Sequence, residues 1–165
     1  AERAISPQNA WLMTDMMQDV IRRGTARRAM ALGRDDLAGK TGTTNDAKDT
    51  WFNGFNSNLV ATVWVGFDQE RSLGESEEGA KTALPIWMHF MREALKGVPQ
   101  QPSPMPEGLI TLPISPASGL LASEGNPDAI TELFMADHLP ASAMPGEESA
   151  TGTDPEDNTA SEPIF

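Results

Sequence analysis

Apolar positions first recur at helical spacing. Leu12, Met16 and Val20 stand four residues apart, with Met13, Met17 and Ile21 widening the stripe, as one buried face of a helix requires. Ser6-Pro7 supplies an N-cap oxygen and a proline suited to the first turn. Gly24, just after Arg22-Arg23, is expected to close the helix in the left-handed conformation. The period then shortens. Residues 37–44 read as a strand fed by the polar turn Gly33-Arg34-Asp35-Asp36, and residues 51–55 and 59–67 as a hairpin about Asn56-Ser57-Asn58. The second hairpin strand is apolar almost throughout, which predicts cover on both its faces. After a polar loop at 68–81, helical spacing returns in Leu84, Met88, Met91 and Leu95, with Trp87 and Phe90 beside them and Pro85 in the first turn. Gly97 and Pro99 end this second helix, expected over 82–96. The order helix, strand, hairpin, helix predicts an α+β fold, an antiparallel sheet packed with helices.

Beyond residue 98 the chain changes character. All 12 Lys and Arg and all four Trp lie in residues 1–98, whereas 11 of the 13 Pro lie in residues 99–165. The second stretch carries 11 of the 24 acids and no Lys or Arg, and so holds nearly all of the net charge of −12. The expected organisation is a folded portion at 1–98, a Pro-rich linker with weakly apolar docking segments (109–114 and 130–135) at 99–140, and a disordered acidic tail at 141–165, making a largely irregular end to the chain. Thirteen acids interleaved among the basic residues of 1–98 argue against nucleic acid as a partner. There is no Cys, hence no disulfide framework or thiolate zinc site. His89 and His138 have no metal-ligand spacing partner, and no cofactor is indicated. No apolar run approaches the ~20 residues that span a bilayer, so no membrane contact is expected from this segment itself. Ala1-Glu2-Arg3-Ala4-Ile5 reads as an arbitrary entry point, which points to a fragment.

Candidate chemistry is concentrated in Lys40-Thr41-Gly42-Thr43-Thr44. Within a strand, Lys40 and Gly42 face one way and Thr41 and Thr43 the other, and Gly42 lets a ligand lie close to the backbone. A rim of one cation, several hydroxyls and bare N–H groups suits an anionic, peptide-like ligand along the strand edge. Taken alone, the run also fits an ordinary turn-to-strand junction with a solvated lysine. A phosphate-binding loop fails on spacing: the glycine it needs falls on Arg34, Gly33 misses by one, and Gly42 opposes a helix starting at the lysine.

The flanks supply a resemblance. Residues 37–46, then Asp49-Thr50-Trp51-Phe52-Asn53-Gly54-Phe55, then Val63-Trp64-Val65-Gly66-Phe67-Asp68, resemble the end of the transpeptidase domain of class A (bifunctional) penicillin-binding proteins of the Gram-negative type. Residues 6–13 with Gly24-Thr25-Ala26, and Gly79-Ala80 with residues 83–87, match the helices on either side; the resemblance covers residues 3–97. It implies a serine acyl-transfer enzyme of peptidoglycan synthesis at the periplasmic face of the inner membrane, anchored by a missing N-terminal part. It implies as partners the peptidoglycan stem peptide, β-lactam antibiotics and the N-terminal remainder of the same enzyme. A Ser-x-x-Lys motif supplies nucleophile and base in that family, a Ser-x-Asn motif assists proton transfer, and Lys-Thr-Gly-Thr forms the opposite wall. By resemblance, Lys40 supports the network around the serine and the substrate carboxylate. The Thr41 and Thr43 hydroxyls bind that carboxylate, the Thr43 N–H is one oxyanion donor, and Gly42 and Thr44 complete the substrate wall. None of the serines is followed by Lys at the third or Asn at the second position, so neither serine motif is in this chain. The resemblance also implies a five-stranded sheet, of which this chain supplies three strands; their outer edge is then apolar and unpaired, and an isolated chain is expected to be molten or aggregating. Two other readings stay open: a non-catalytic module that binds peptide carboxylates, and an interaction protein acting through its acidic tail.

Overall fold

In the computed structural model, residues 2–123 and 125–141 are described. The expected disordered tail from Ala141 onward lies, beyond Ala141 itself, outside them. The chain forms two compact units, the first running to Leu109 and the second beginning at Ile110.

The first unit is built in the expected order. Helix α1 spans Pro7–Arg22, with the Ser6 hydroxyl accepting the Asn9 N–H at 3.1 Å. A short 3-10 turn, Arg27–Leu32, follows. Strands β1 (Ala38–Thr43), β2 (Asp49–Phe55) and β3 (Val60–Gly66) pair antiparallel in the order β1-β2-β3, Lys40 opposite Asn53 and Trp51 opposite Trp64. Helix α2, Ala83–Ala94, closes the unit, its expected opening residue Thr82 serving as N-cap position. Gly24 does something other than expected. The helix ends at Arg22 and Gly24 keeps a negative φ; its lack of a side chain serves close packing, because a Cβ there would lie 2.8 Å from the Val20 Cα.

Both helices pack on the sheet, α1 against β1 and α2 against β2 and β3. Period two sets the sheet's two faces. Toward the helices point Thr41, Phe52 and Val63 from one row of partners and Gly54 and Ala61 from another. Trp87 of α2 is fully buried on this face, 4.8 Å from the Phe52 ring between centroids, and donates its indole N–H to the Ala61 carbonyl at 3.1 Å. Leu37, Leu84, Met91, Ile21 and Ala29 complete the core. The buried Thr50 hydroxyl meets that of Thr82 at 2.6 Å, so no hydrogen bond is forfeited there.

The expectation that β3 is covered on both faces does not hold within this chain. Val60 is 72% and Trp64 44% exposed, while Ala61, Val63 and Val65 are partly buried. Apolar composition predicts a strand meant for cover; it does not say that the same chain provides it.

The polar turn before β1 is a buried node. Arg34 grips Asp36 with two parallel bonds (Nε to Oδ1 2.8 Å, Nη2 to Oδ2 2.7 Å), and the Asp36 side chain is 2% exposed. Residues 99–106 adopt no helix or strand but are tied down. The Gln101 N–H reaches Asp36 at 3.3 Å, Arg34 donates to the Val98 carbonyl at 2.8 Å, and from α1 the Trp11 indole donates to the Ser103 carbonyl at 3.2 Å.

In the second unit, the two weakly apolar segments are strands β4 (Leu109–Ile114, whose first residue still belongs to the first unit) and β5 (Ile130–Met135), paired with each other in a two-stranded sheet.

Candidate active site

Lys40, Thr41, Gly42 and Thr43 all lie in β1, an edge strand that pairs only with β2 among the described residues. No helix begins at Lys40, which removes the phosphate-loop geometry. Just past the strand end, the Thr44 N–H donates to the Asp49 carbonyl at 3.0 Å. Because such bonds alternate along an antiparallel pair, Gly42 and Lys40 turn their backbone groups toward β2, and Thr43 and Thr41 turn theirs outward along the open edge.

Lys40 comes from the sheet face opposite the helices but does not stay over it. Its ammonium donates to the Thr41 carbonyl at 3.0 Å, on the outward side, and is exposed. It pairs with no carboxylate among the described residues, although the chain carries a net charge of −12. The Thr41 hydroxyl, on the helix-facing side, lies 2.9 Å from the Thr25 hydroxyl in the turn after α1. The Thr43 hydroxyl accepts the Gly79 N–H at 3.1 Å. As an acceptor it keeps its own hydrogen free to donate. Thr44 caps the turn into β2, its hydroxyl accepting the Asp49 N–H at 2.9 Å.

Two segments distant in sequence shape this edge. Gly79 sits on the sheet backbone, where a Cβ would fall 2.4 Å from the Trp51 carbonyl oxygen and 2.7 Å from that of Gly42. Any larger residue there would push the loop off β1. The turn joining β1 to β2 is strained, with Asp46 at φ 59° and Ala47 at φ 49°, a region that non-glycine residues seldom occupy. It is pinned by the Ser72 hydroxyl, which donates to the Asp46 carbonyl at 2.7 Å, and by the Leu73 N–H on the Ala47 carbonyl at 2.8 Å. A groove of about 730 Å³ opens there, bordered by Thr43, Asp46, Ser72, Glu75, Glu78 and Lys81. A smaller cavity of about 340 Å³, between Arg34, Met91, Arg92, Leu95 and Val98, lies away from the Lys40 row.

This edge offers a cation with no carboxylate partner among the described residues, hydroxyls with hydrogens to give, and outward N–H groups beside outward carbonyls, while Asp46, Glu75 and Glu78 border the adjoining groove. The sequence pattern pointed to Lys40, Thr41 and Thr43; the contributions of Thr25 and Gly79 rest on contacts 16 and 36 residues away, which no local pattern carries.

Residues 1–91 match the family model for the penicillin-binding protein transpeptidase domain. The chain belongs to this family. It is 53% identical over 142 residues to penicillin-binding protein 1A of Pseudomonas aeruginosa, covering 86% of this chain and 17% of that protein. To penicillin-binding protein 1A of Neisseria gonorrhoeae it is 53% identical over 111 residues, 67% of this chain and 14% of the relative. Among solved structures, penicillin-binding protein 1A from Haemophilus influenzae superposes with a TM-score of 0.79 at 36% identity, over 87% of this chain and 22% of the other. The similarity is thus to Gram-negative proteins of the 1A type, and the α+β fold is theirs. The chain spans between about a seventh and a sixth of the length of the curated relatives it matches.

Proposed function

We propose that this chain contributes the Lys-Thr-Gly-Thr wall of a serine acyl-transfer site that cross-links peptidoglycan stem peptides ending in D-Ala-D-Ala and that β-lactams acylate. The observation that carries the reading is Lys40: a cation without a carboxylate partner among the described residues, on an open strand edge whose hydroxyls and N–H groups have hydrogens to give. In this role Lys40 helps hold the nucleophilic serine and the substrate carboxylate. Thr41 and Thr43 bind that carboxylate, the outward Thr43 N–H is one half of the oxyanion hole, and Gly42 and Thr44 shape the wall.

The serine and its base come from the rest of the enzyme, since no Ser-x-x-Lys occurs in these 165 residues. On the same reading the larger protein is a bifunctional synthase at the periplasmic face of the inner membrane. Its remaining strands pair with the outer edge of β3, and its helical part covers the open sheet face. Folded portion, linker and tail then follow one another at 1–98, 99–140 and 141–165.

Labelled penicillin tests the proposal. The full-length enzyme is expected to take up label covalently, this chain alone to take up none, and Lys40→Ala in the full-length enzyme to slow acylation by about a hundredfold, the order seen when a preorganised electrostatic group is lost. Unchanged acylation in Lys40→Ala would overturn the assignment.

A further inference from the structure

We propose that Thr25 is a positioning residue for carboxylate recognition, its hydroxyl aligning that of Thr41 so that the Thr41 proton points at the ligand. The inference rests on the acyl-transfer reading above and extends its site to a residue outside the Lys-Thr-Gly-Thr run.

The two hydroxyl oxygens are 2.9 Å apart. Each hydroxyl has one proton and two lone pairs, so a bonded pair uses one proton between them and leaves one to give. A carboxylate can only accept. When it binds at Thr41, the favoured arrangement runs in one direction: Thr25 O–H to the Thr41 oxygen, Thr41 O–H to the carboxylate. Each bond in such a chain polarises the next and strengthens it. Without Thr25, the Thr41 hydroxyl rotates freely and must be ordered by the ligand itself.

The geometry fits a fixed support. Thr25 is exposed, yet both its neighbours are locked. Gly24 packs against Val20 with no room for a Cβ, and the fully buried Ala26 donates its N–H to the Val20 carbonyl at 2.9 Å. The Arg27 N–H closes the turn on the Gly24 carbonyl at 3.2 Å. The hydroxyl is thus delivered by a rigid turn to the helix-facing side of the edge, while Lys40 reaches the same edge from the other face.

The test uses the full-length enzyme and two ligands, a β-lactam with its free carboxylate and the same compound as its methyl ester. Thr25→Val is expected to lower the second-order acylation rate for the carboxylate by about tenfold, the order of one hydrogen bond between uncharged groups, and to leave the slower rate for the ester unchanged. Thr25→Ser, which keeps the hydroxyl, should restore the carboxylate rate. Equal losses for both ligands would make Thr25 a structural tie between α1 and β1 and overturn the proposal, as would no loss for either or a Thr25→Ser variant as slow as Thr25→Val. A wild-type enzyme acylated by neither ligand would overturn the acyl-transfer reading itself, and this inference with it.

Discussion

Both faces of the three-stranded sheet carry large apolar side chains, and these meet opposite fates. On one, Phe52, Gly54, Val63 and Ala61 lie under α1 and α2, and Trp87 fills the space above them with no exposed surface. On the other, Trp51 and Trp64 face each other at 6.3 Å between ring centroids and remain partly exposed, with Val60 more exposed still. Monomeric soluble domains seldom leave such residues uncovered together. The covered face accounts for why these residues fold; on the proposed reading the open face, together with the Lys40 edge that borders it, accounts for what they are for. On that reading, other parts of the same enzyme complete the active site and cover this surface.

The largest expected effect belongs to the covered face. Trp87→Ala removes a buried ring packed edge-on against Phe52 and deprives the Ala61 carbonyl of its indole donor. A loss of about 3–5 kcal/mol in transpeptidase-domain stability is expected, read from the unfolding transition of the full-length enzyme. A small loss would mean that the core lies elsewhere.

Next comes the node beneath β1. Burial raises the Asp36 pKa most among single influences, but the hydrogen bonds from Arg34, Gln101 and Asn56 and the Arg34 charge together outweigh it, and the pKa is lowered. The sign follows: a carboxyl depressed in the folded state adds stability above its unfolded pKa of about 3.9. That contribution drains away as the pH falls below this value and through the folded one. Asp36→Asn should therefore flatten the acid side of the stability profile. At neutral pH it should cost about 3–5 kcal/mol, because Arg34 is left buried without its partner. An acid limb as steep as in the wild type would remove Asp36 as its source.

How much of this was legible beforehand divides along the same physical line. The helices and strands follow from spacing: Leu12, Met16 and Val20 in α1, and the aromatic and β-branched runs of β2 and β3, are local patterns with local causes. The Lys40 run was legible because its chemistry is contiguous. Long-range closures were not. Asp36 reads as a turn residue until Gln101 and Arg34 surround it, residues 99–106 read as a linker until Trp11 and Asp36 hold them, and Thr25 reads as part of a helix end until Thr41 is beside it. The exposure of Val60 and Trp64 was missed for the opposite reason, since an apolar strand announces a need for cover without naming its source.

The smallest effect within the chain's own contacts belongs to the open face, and it decides what that face is. Trp64 donates its indole N–H to Asp49 at 2.9 Å and leans on Trp51 at an angle of 53°. With nothing else over it, Trp64→Ala forfeits one solvent-exposed hydrogen bond and one aromatic contact, about 1 kcal/mol in sum. Covered by the remaining helical part of the enzyme, the same residue becomes a core residue and its removal costs about 3–5 kcal/mol. The proposed assembly therefore predicts that Trp64→Ala destabilises the full-length enzyme nearly as much as Trp87→Ala does. A cost near 1 kcal/mol in the full-length enzyme would show that the face stays open to solvent, and the reading of it as a surface awaiting the rest of the domain would fall.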